Sequence, residues 1–99
     1  MPKEEVHITI EFIGVLHEVF RKKQTRLKFT QPPTVNETIV KLAKTSPIAN
    51  RNLLDTESNQ LHPALLILVN GKEISALNGT ETRLKNGDKV VLISVSHGG

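Results

Sequence analysis

Thr34-Val35-Asn36-Glu37-Thr38-Ile39-Val40-Lys41-Leu42-Ala43 is the stretch on which the fold turns. It opens as a capping box: the Thr34 hydroxyl is placed to accept from the Glu37 amide, and the Glu37 carboxylate to reach back to the Thr34 N–H. Val35, Ile39, Leu42 and Ala43 recur at helical spacing on one face, while Asn36, Glu37, Lys41 and Lys44 are left to water. Pro47 ends the helix, because its ring pushes Ser46 out of the helical region. Upstream, Gln31-Pro32-Pro33 closes whatever strand precedes it, since proline cannot donate to a ladder. One amphipathic helix thus stands between segments of another periodicity, against which it must bury its apolar stripe.

Those segments read as strands. From Val6 the chain alternates, with Val6, Ile8, Ile10 and Phe12 pointing one way and His7, Thr9 and Glu11 the other. His7 falls on the polar face and reads as a solvated strand residue. Gly14 breaks the run, and residues 14–25 read as a hairpin-like connection with a broad or partly helical loop before a second strand over 26–30. After the helix, residues 48–63 are polar and broken, anchored by Leu53 and Leu54, and read as a loop with one short helical turn. Within that loop His62 precedes Pro63 with no second ligand at metal spacing, so it reads as structural. Leu65 to Val69 is a continuous apolar run, and Asn70-Gly71 is a strong hairpin signal leading into Lys72-Glu73-Ile74. Asn78-Gly79 and Asn86-Gly87-Asp88 mark further turns, and Val90 to Val95 reads as the last strand.

Strand, strand, helix, strand, short strand, strand in 99 residues predicts an α+β roll of the β-grasp kind. We expect a mixed sheet of four to five strands, one main helix packed across it, and first and last strands as parallel neighbours at the centre. Two strands are apolar on both faces, which a sheet covered on one side does not require. Counting from the Asn70-Gly71 turn places Leu65, Ile67 and Val69 inward and Leu66 and Leu68 outward; Val90 and Leu92 inward and Val91 and Ile93 outward. A one-residue slip would invert that parity. Leu66, Leu68, Val91 and Ile93 then form an exposed apolar patch, the kind of surface that marks an interface. The alternative is that loop 48–63 folds over the patch and buries it.

The chain finishes on Ser94-Val95-Ser96-His97-Gly98-Gly99. Glycine has no Cβ, so a Gly-Gly terminus can enter a channel that any side chain would block. Six extended residues reach at most about 20 Å, far enough to place a carboxylate in another protein's active site while the body docks outside. The expected organisation is a β-grasp domain over residues 1–93 and a flexible reactive tail over 94–99.

Composition narrows the function classes. Ninety-nine residues make one domain with a modest core and no room for an elaborate internal active site. With no Trp or Tyr and only three Phe, the core must be mainly aliphatic, and stacking on nucleic-acid bases has little to work with. The absence of cysteine rules out disulfides, thiolate metal sites and a cysteine nucleophile in this chain. Thirteen Lys+Arg against ten Asp+Glu give a mild net charge of +3, with one dense basic cluster at Arg21-Lys22-Lys23 and Arg26. The N-terminus lacks the blocks of a signal peptide and no apolar run approaches a bilayer span, so a cytoplasmic protein with no membrane partner is expected.

Taken in order, several pieces resemble one family. Phe12-Ile13-Gly14-Val15-Leu16-His17-Glu18 is similar to an aromatic-x-Gly-x-Leu-Arg-Glu segment after a first strand, with His17 where Arg is usual. Thr34-Val35-Asn36-Glu37-Thr38-Ile39 is similar to the family's helix start, and Ile67-Leu68-Val69-Asn70-Gly71-Lys72 to its Val-Asn-Gly turn. Thr82-Arg83-Leu84-Lys85-Asn86-Gly87-Asp88 is similar to its Leu-x-x-Gly-Asp approach, and Gly98-Gly99 to its reactive terminus. The family is that of the ubiquitin-like sulfur carriers and modifiers: the small subunit of molybdopterin synthase, the thiamine-pathway sulfur carrier, the ubiquitin-related modifier and the small archaeal modifiers.

The resemblance implies a ubiquitin-like fold and a chain that is a substrate rather than an enzyme. A separate E1-like enzyme would spend ATP to adenylate the Gly99 carboxylate, with Gly98 giving access. No phosphate-binding motif is present here, so no cofactor is expected on this chain, and ATP belongs to the activating enzyme. Two fates follow: an isopeptide bond to lysines of target proteins, or a C-terminal thiocarboxylate for sulfur transfer. A dedicated sulfur carrier working with a molybdopterin synthase large subunit is the alternative, although the Pro-Pro pair common before Gly-Gly in those subunits is absent. A non-covalent β-grasp interaction module is the alternative of another class. Partner contacts are expected at Leu66, Leu68, Val91, Ile93, Ser96 and His97, with His97 a spacer or a proton shuttle.

Overall fold

The computed structural model describes residues 5–95. Five strands form one mixed sheet in the order β2-β1-β5-β3-β4. They are β1 (Val6–Ile13), β2 (Gln24–Phe29), β3 (Leu65–Val69), β4 (Lys72–Glu73) and β5 (Lys89–Ser94). The first and last strands run parallel, Ile10 beside Val90 and Phe12 beside Leu92, while β2 and β3 flank them antiparallel. This is the expected β-grasp sheet.

Alternation dictates which face carries the core. Ile8, Ile10, Val90 and Leu92 have essentially no exposure and face α2 (Val35–Ala43), whose Val35, Ile39, Leu42 and Ala43 are buried against them. Both capping-box bonds are made, at 2.8 Å from Thr34 N–H to Glu37 Oε1 and 3.1 Å from Glu37 N–H to Thr34 Oγ1. Lys41 reaches from α2 to the sheet edge, donating to the Lys28 carbonyl at 2.7 Å with its Nζ 4.6 Å above the Phe29 ring. An edge-strand carbonyl is thereby capped, which is one way to blunt an unpaired edge.

Two local readings are revised, and the partly helical character expected for 14–25 is made definite. Pro47 does not merely stop α2: it is the first residue of α3 (Pro47–Leu53), with Ser46 accepting from the Ala49 N–H at 3.1 Å. Proline's fixed φ suits a helix start, and its missing N–H costs nothing there. The connection over 14–25 contains α1 (Val15–Phe20), whose Leu16 is buried and whose Phe20 stacks on Phe12 at 4.1 Å. β2 begins at Gln24, two residues before the expected start, because the pairing with β1 extends to Gln24 opposite Glu11.

Turn chemistry closes the other end. Asn70 and Gly71 both have positive φ, 50° and 86°, as a two-residue type I′ hairpin demands. The Asn86-Gly87-Asp88 turn lies between two neighbours. Asn86 Oδ1 accepts from the His7 N–H at 2.7 Å, and Asp88 Oδ1 accepts from Asn70 Nδ2 at 3.0 Å. β5 is therefore fixed at its start to both strands that flank it.

Candidate functional site

The site grows out of β5. This strand occupies the middle of the sheet and carries the chain toward its C-terminus, so the residues around its end form the base of the tail. Ser94, read above both as part of the last strand and as the start of the tail, is the last residue of β5 and stands opposite Leu65. Val95 donates its N–H to the Ala64 carbonyl at 2.7 Å, holding the base of the tail against the start of β3. Ser96, His97, Gly98 and Gly99 lie outside the described residues.

The parity expected for β3 and β5 is the one observed. Ile67, Val69, Val90 and Leu92 are buried, and Leu66, Leu68, Val91 and Ile93 are part-exposed on the opposite face. Register brings those four together, with Leu66 directly opposite Ile93 and Leu68 opposite Val91. Antiparallel partners place their Cβ atoms about 5 Å apart, so the four side chains form one continuous surface.

Sequence reasoning missed a fifth member. Ile13 sits beside Ile93 across the parallel pairing and is 39% exposed. The alternation of β1 already placed it outward, in series with His7, Thr9 and Glu11, but Gly14 makes the strand look finished at Phe12. Val95, 43% exposed, continues the apolar character past the strand. The cover expected as an alternative for this patch lies elsewhere: Leu53 and Leu54 of the 48–63 segment join the core cluster on the inner face.

Charges frame the patch. Glu11 on β1 pairs with Lys89 on β5 at 2.6 Å, and Lys28 on β2 pairs with Glu5 at 3.1 Å. Arg21, Lys22, Lys23 and Arg26 are all exposed. The Lys23 carbonyl accepts from the Phe12 N–H at 2.8 Å, so the 21–23 turn lies against the same end of β1 as Ile13, while Arg26 stands further back, opposite Thr9. His7 is on the outer face as expected but less solvated than its position suggests, its Nδ1 being buried without a hydrogen-bond partner. His62 is tied into its turn, Nδ1 accepting from the Ala64 N–H at 3.1 Å. Among the described residues no group of His, Asp and Glu is arranged to hold a metal ion, and no helix is long and apolar enough to cross a membrane.

An open hollow of about 590 Å³ lies where α2 meets α3 and is lined by Lys44, Ser46, Pro47, Asn50 and Arg51 among others. Both hydroxyls that line it are committed, Ser46 to capping α3 and Thr45 to the Leu42 carbonyl at 2.7 Å. The chemistry of the site is thus that of a surface: an apolar patch, a basic flank and, at Val95, the base of the C-terminal segment.

A family model described as Urm1 (Ubiquitin related modifier) matches residues 7–99. The chain is 26% identical over 97 residues to "Ubiquitin-related modifier 1" of Gallus gallus, covering 95% of this chain and 96% of that one. Among solved structures it is similar to small archaeal modifier protein 1 of Methanosarcina acetivorans, with a TM-score of 0.83 at 21% identity over 97% of this chain and 99% of that one. It is also similar to the HVO 2177 protein of Haloferax volcanii, with a TM-score of 0.82 at 23% identity over 100% and 92%.

Proposed function

Because the chain belongs to the ubiquitin-related modifier family, we propose that its Gly99 carboxylate is the reacting group of a small protein modifier. A separate E1-like enzyme adenylates that carboxylate with ATP, releasing pyrophosphate. The adenylate is needed because a free carboxylate is a poor electrophile, and AMP supplies a leaving group. Attack by a lysine amine of a target protein then gives an isopeptide bond, and attack by a sulfur donor gives a thiocarboxylate; Gly99 supplies the acyl carbon in both.

The observation that carries this reading is the apolar patch of Ile13, Leu66, Leu68, Val91 and Ile93 around the end of the central strand. A body that docks through that patch presents the tail to the partner it docks on. The sheet holds the base in place through the Val95–Ala64 bond, and beyond Val95 four residues remain, enough for about 13 Å of extended reach.

The test is incubation with the adenylating enzyme of the same cell and ATP, followed by intact mass measurement. A Gly99 adenylate is expected, and it is lost when Gly98 and Gly99 are deleted. With a sulfur donor present, a gain of about 16 Da marks one sulfur replacing one oxygen; with target proteins present, lysine-linked Gly-Gly remnants mark the isopeptide. Activity in the truncated protein equal to that of the full chain sinks the proposal.

A further inference from the structure

Three of the seven asparagines stand directly before glycine, at Asn70-Gly71, Asn78-Gly79 and Asn86-Gly87. In such a pair the glycine amide nitrogen, with no Cβ beside it, can close on the side-chain carbonyl carbon of the asparagine and expel ammonia. The three pairs have the same sequence, so what separates them is how firmly the fold holds each one.

Two are held. The Asn70 carboxamide is bonded at both ends, its Nδ2 donating to Asp88 Oδ1 at 3.0 Å and its Oδ1 accepting from the Lys89 N–H at 3.0 Å. At the Asn86 pair the carboxamide and the attacking nitrogen are both engaged. Asn86 Oδ1 accepts from the His7 N–H at 2.7 Å, and the Gly87 N–H donates to the His7 carbonyl at 2.9 Å. Ring closure at either pair must first break two hydrogen bonds.

Asn78 differs on both counts. It is exposed, it precedes the short 3-10 helix Gly79–Glu81, and its side chain makes no capping bond. Among the described residues neither its carboxamide nor the Gly79 N–H has a hydrogen-bond partner. A Cβ built on Gly79 meets nothing within 4 Å, so there is open space around the atoms that must move. The Asn78 backbone is held by its own N–H, donating to Thr82 Oγ1 at 3.0 Å, and by its carbonyl, accepting from the Glu81 N–H at 3.1 Å. Neither bond engages the two atoms that would join.

We infer that Asn78-Gly79 is a site of spontaneous covalent modification, and that its rearranged product loosens the join between this turn and α2. The Gly79 nitrogen gives its proton to hydroxide and bonds to Asn78 Cγ. The Cγ–Nδ2 bond breaks and ammonia leaves, giving a five-membered cyclic imide. Water then opens the ring, at Cγ to give aspartate or at the main-chain carbonyl to give isoaspartate, in which the chain runs through the former side chain. The sum is asparagine and water going to aspartate or isoaspartate and ammonia, with nothing oxidised or reduced.

Isoaspartate inserts one carbon into the main chain immediately before Gly79. The Gly79 carbonyl accepts from the Thr82 hydroxyl at 2.7 Å and from the Thr82 N–H at 3.1 Å. The Thr82 carbonyl in turn accepts from the Val35 N–H at 2.9 Å, one of the donors at the start of α2 that has no partner inside the helix. Thr82 is 9% exposed, so this relay is shielded from water. An extra backbone atom ahead of Gly79 displaces the relay, whereas plain aspartate leaves the main chain as it was.

The experiment holds the full chain for days in mildly alkaline buffer, folded in one arm and unfolded in guanidinium in the other. Each event is read, by mass measurement of proteolytic fragments, as the gain when an NH2 group is replaced by OH, and the isoaspartyl form is separated by chromatography. In the folded protein Asn78 should react about tenfold or more faster than Asn70 or Asn86, the factor expected where two hydrogen bonds must open first. In guanidinium the three pairs should react at similar rates. Asn78→Gln should remove the fast event, because its longer side chain would have to close a larger ring. The isolated isoaspartyl form should unfold at a lower temperature than the wild type, and Asn78→Asp at the same temperature. Reaction of the folded chain at Asn70 or Asn86 as fast as at Asn78 overturns the assignment of the site. So does an unmodified Asn78 over an interval in which the unfolded chain reacts. An isoaspartyl form that unfolds together with the wild type overturns the link to α2.

Discussion

Asn70 and Asp88 are joined by a 3.0 Å hydrogen bond from Asn70 Nδ2 to Asp88 Oδ1, across two turns that are eighteen residues apart in sequence. The same asparagine accepts from the Lys89 N–H through its Oδ1 at 3.0 Å, and the other Asp88 oxygen accepts from the Lys85 N–H at 2.8 Å. Two side chains thereby tie the β3–β4 hairpin to the start of β5. Asp88 is only 8% exposed and its two bonds are part-buried, so its removal breaks two charge-assisted hydrogen bonds that water replaces only in part. Asp88→Ala should destabilise the fold by about 3 kcal/mol, since hydrogen bonds to a charged group contribute about 1.5–3 kcal/mol each. A double-mutant cycle with Asn70→Ala, read by urea unfolding, should give a coupling of about 1 kcal/mol; strict additivity would show that the turns are independent.

The capping box predicts a pH signature. Glu37 is held below its ordinary value of 4.5, first by the hydrogen bond from the Thr34 N–H, then by the Thr34 hydroxyl, with Arg83 adding a weaker pull. The folded protein binds this proton more weakly than the unfolded chain does. The stabilisation is therefore present above about pH 4.5 and disappears as pH falls through the depressed folded value. Glu37→Gln should flatten this part of the acid limb of stability, measured by urea unfolding between about pH 7 and about pH 3. It should not flatten the limb completely, because Glu73 is lowered too, chiefly by the Ser75 hydroxyl. Thr34→Ala removes the cap itself and should cost about 1 kcal/mol at neutral pH.

Most of the architecture was legible because it rests on local, repeating signals. Val6 to Phe12 alternates strictly, Thr34 and Glu37 stand three apart before an apolar run, and Asn70-Gly71 admits few conformations. What escaped depends on context that a single stretch does not carry. Ser46-Pro47 has the same composition whether it stops one helix or starts another, and only the packing of Ala49 and Leu53 decides. Gln24 and Thr25 carry no apolar alternation of their own and are drawn into β2 by pairing with Glu11 and Ile10. Ile13 joins the patch only through its parallel neighbour Ile93, eighty residues away in sequence.

The hairpin offers a test of backbone conformation free of packing. Gly71 has φ +86°, and a Cβ built there meets nothing within 4 Å, so any cost of a side chain comes from the backbone alone. Gly71→Ala should destabilise by about 1–2 kcal/mol through its left-handed conformation. Thermal unfolding would show this as a fall of about 4–8 °C per kcal/mol for a domain of this size. An unchanged midpoint would mean that the turn can adopt another type without disturbing β3 and β4.

Adjacent residues on β5 give the most direct test of which face is core and which is surface. Leu92 has no exposure and sits between Phe12 and Ile67 on the neighbouring strands, whereas Ile93 is part-exposed between Ile13 and Leu66. Leu92→Ala should cost about 2–5 kcal/mol, the range for a large-to-small change that leaves a cavity in a packed interior. Ile93→Ala removes less buried area and should cost about 1 kcal/mol or less, because its neighbours can close on solvent instead of on a void. Urea unfolding of the two variants would measure the difference. If Ile93→Ala proved as costly as Leu92→Ala, the outer face would be a second core and the patch would not be free to receive a partner. The expected split, a large loss at one residue and a small one at the next, leaves the Ile93 side of the strand available for binding at little cost to the fold.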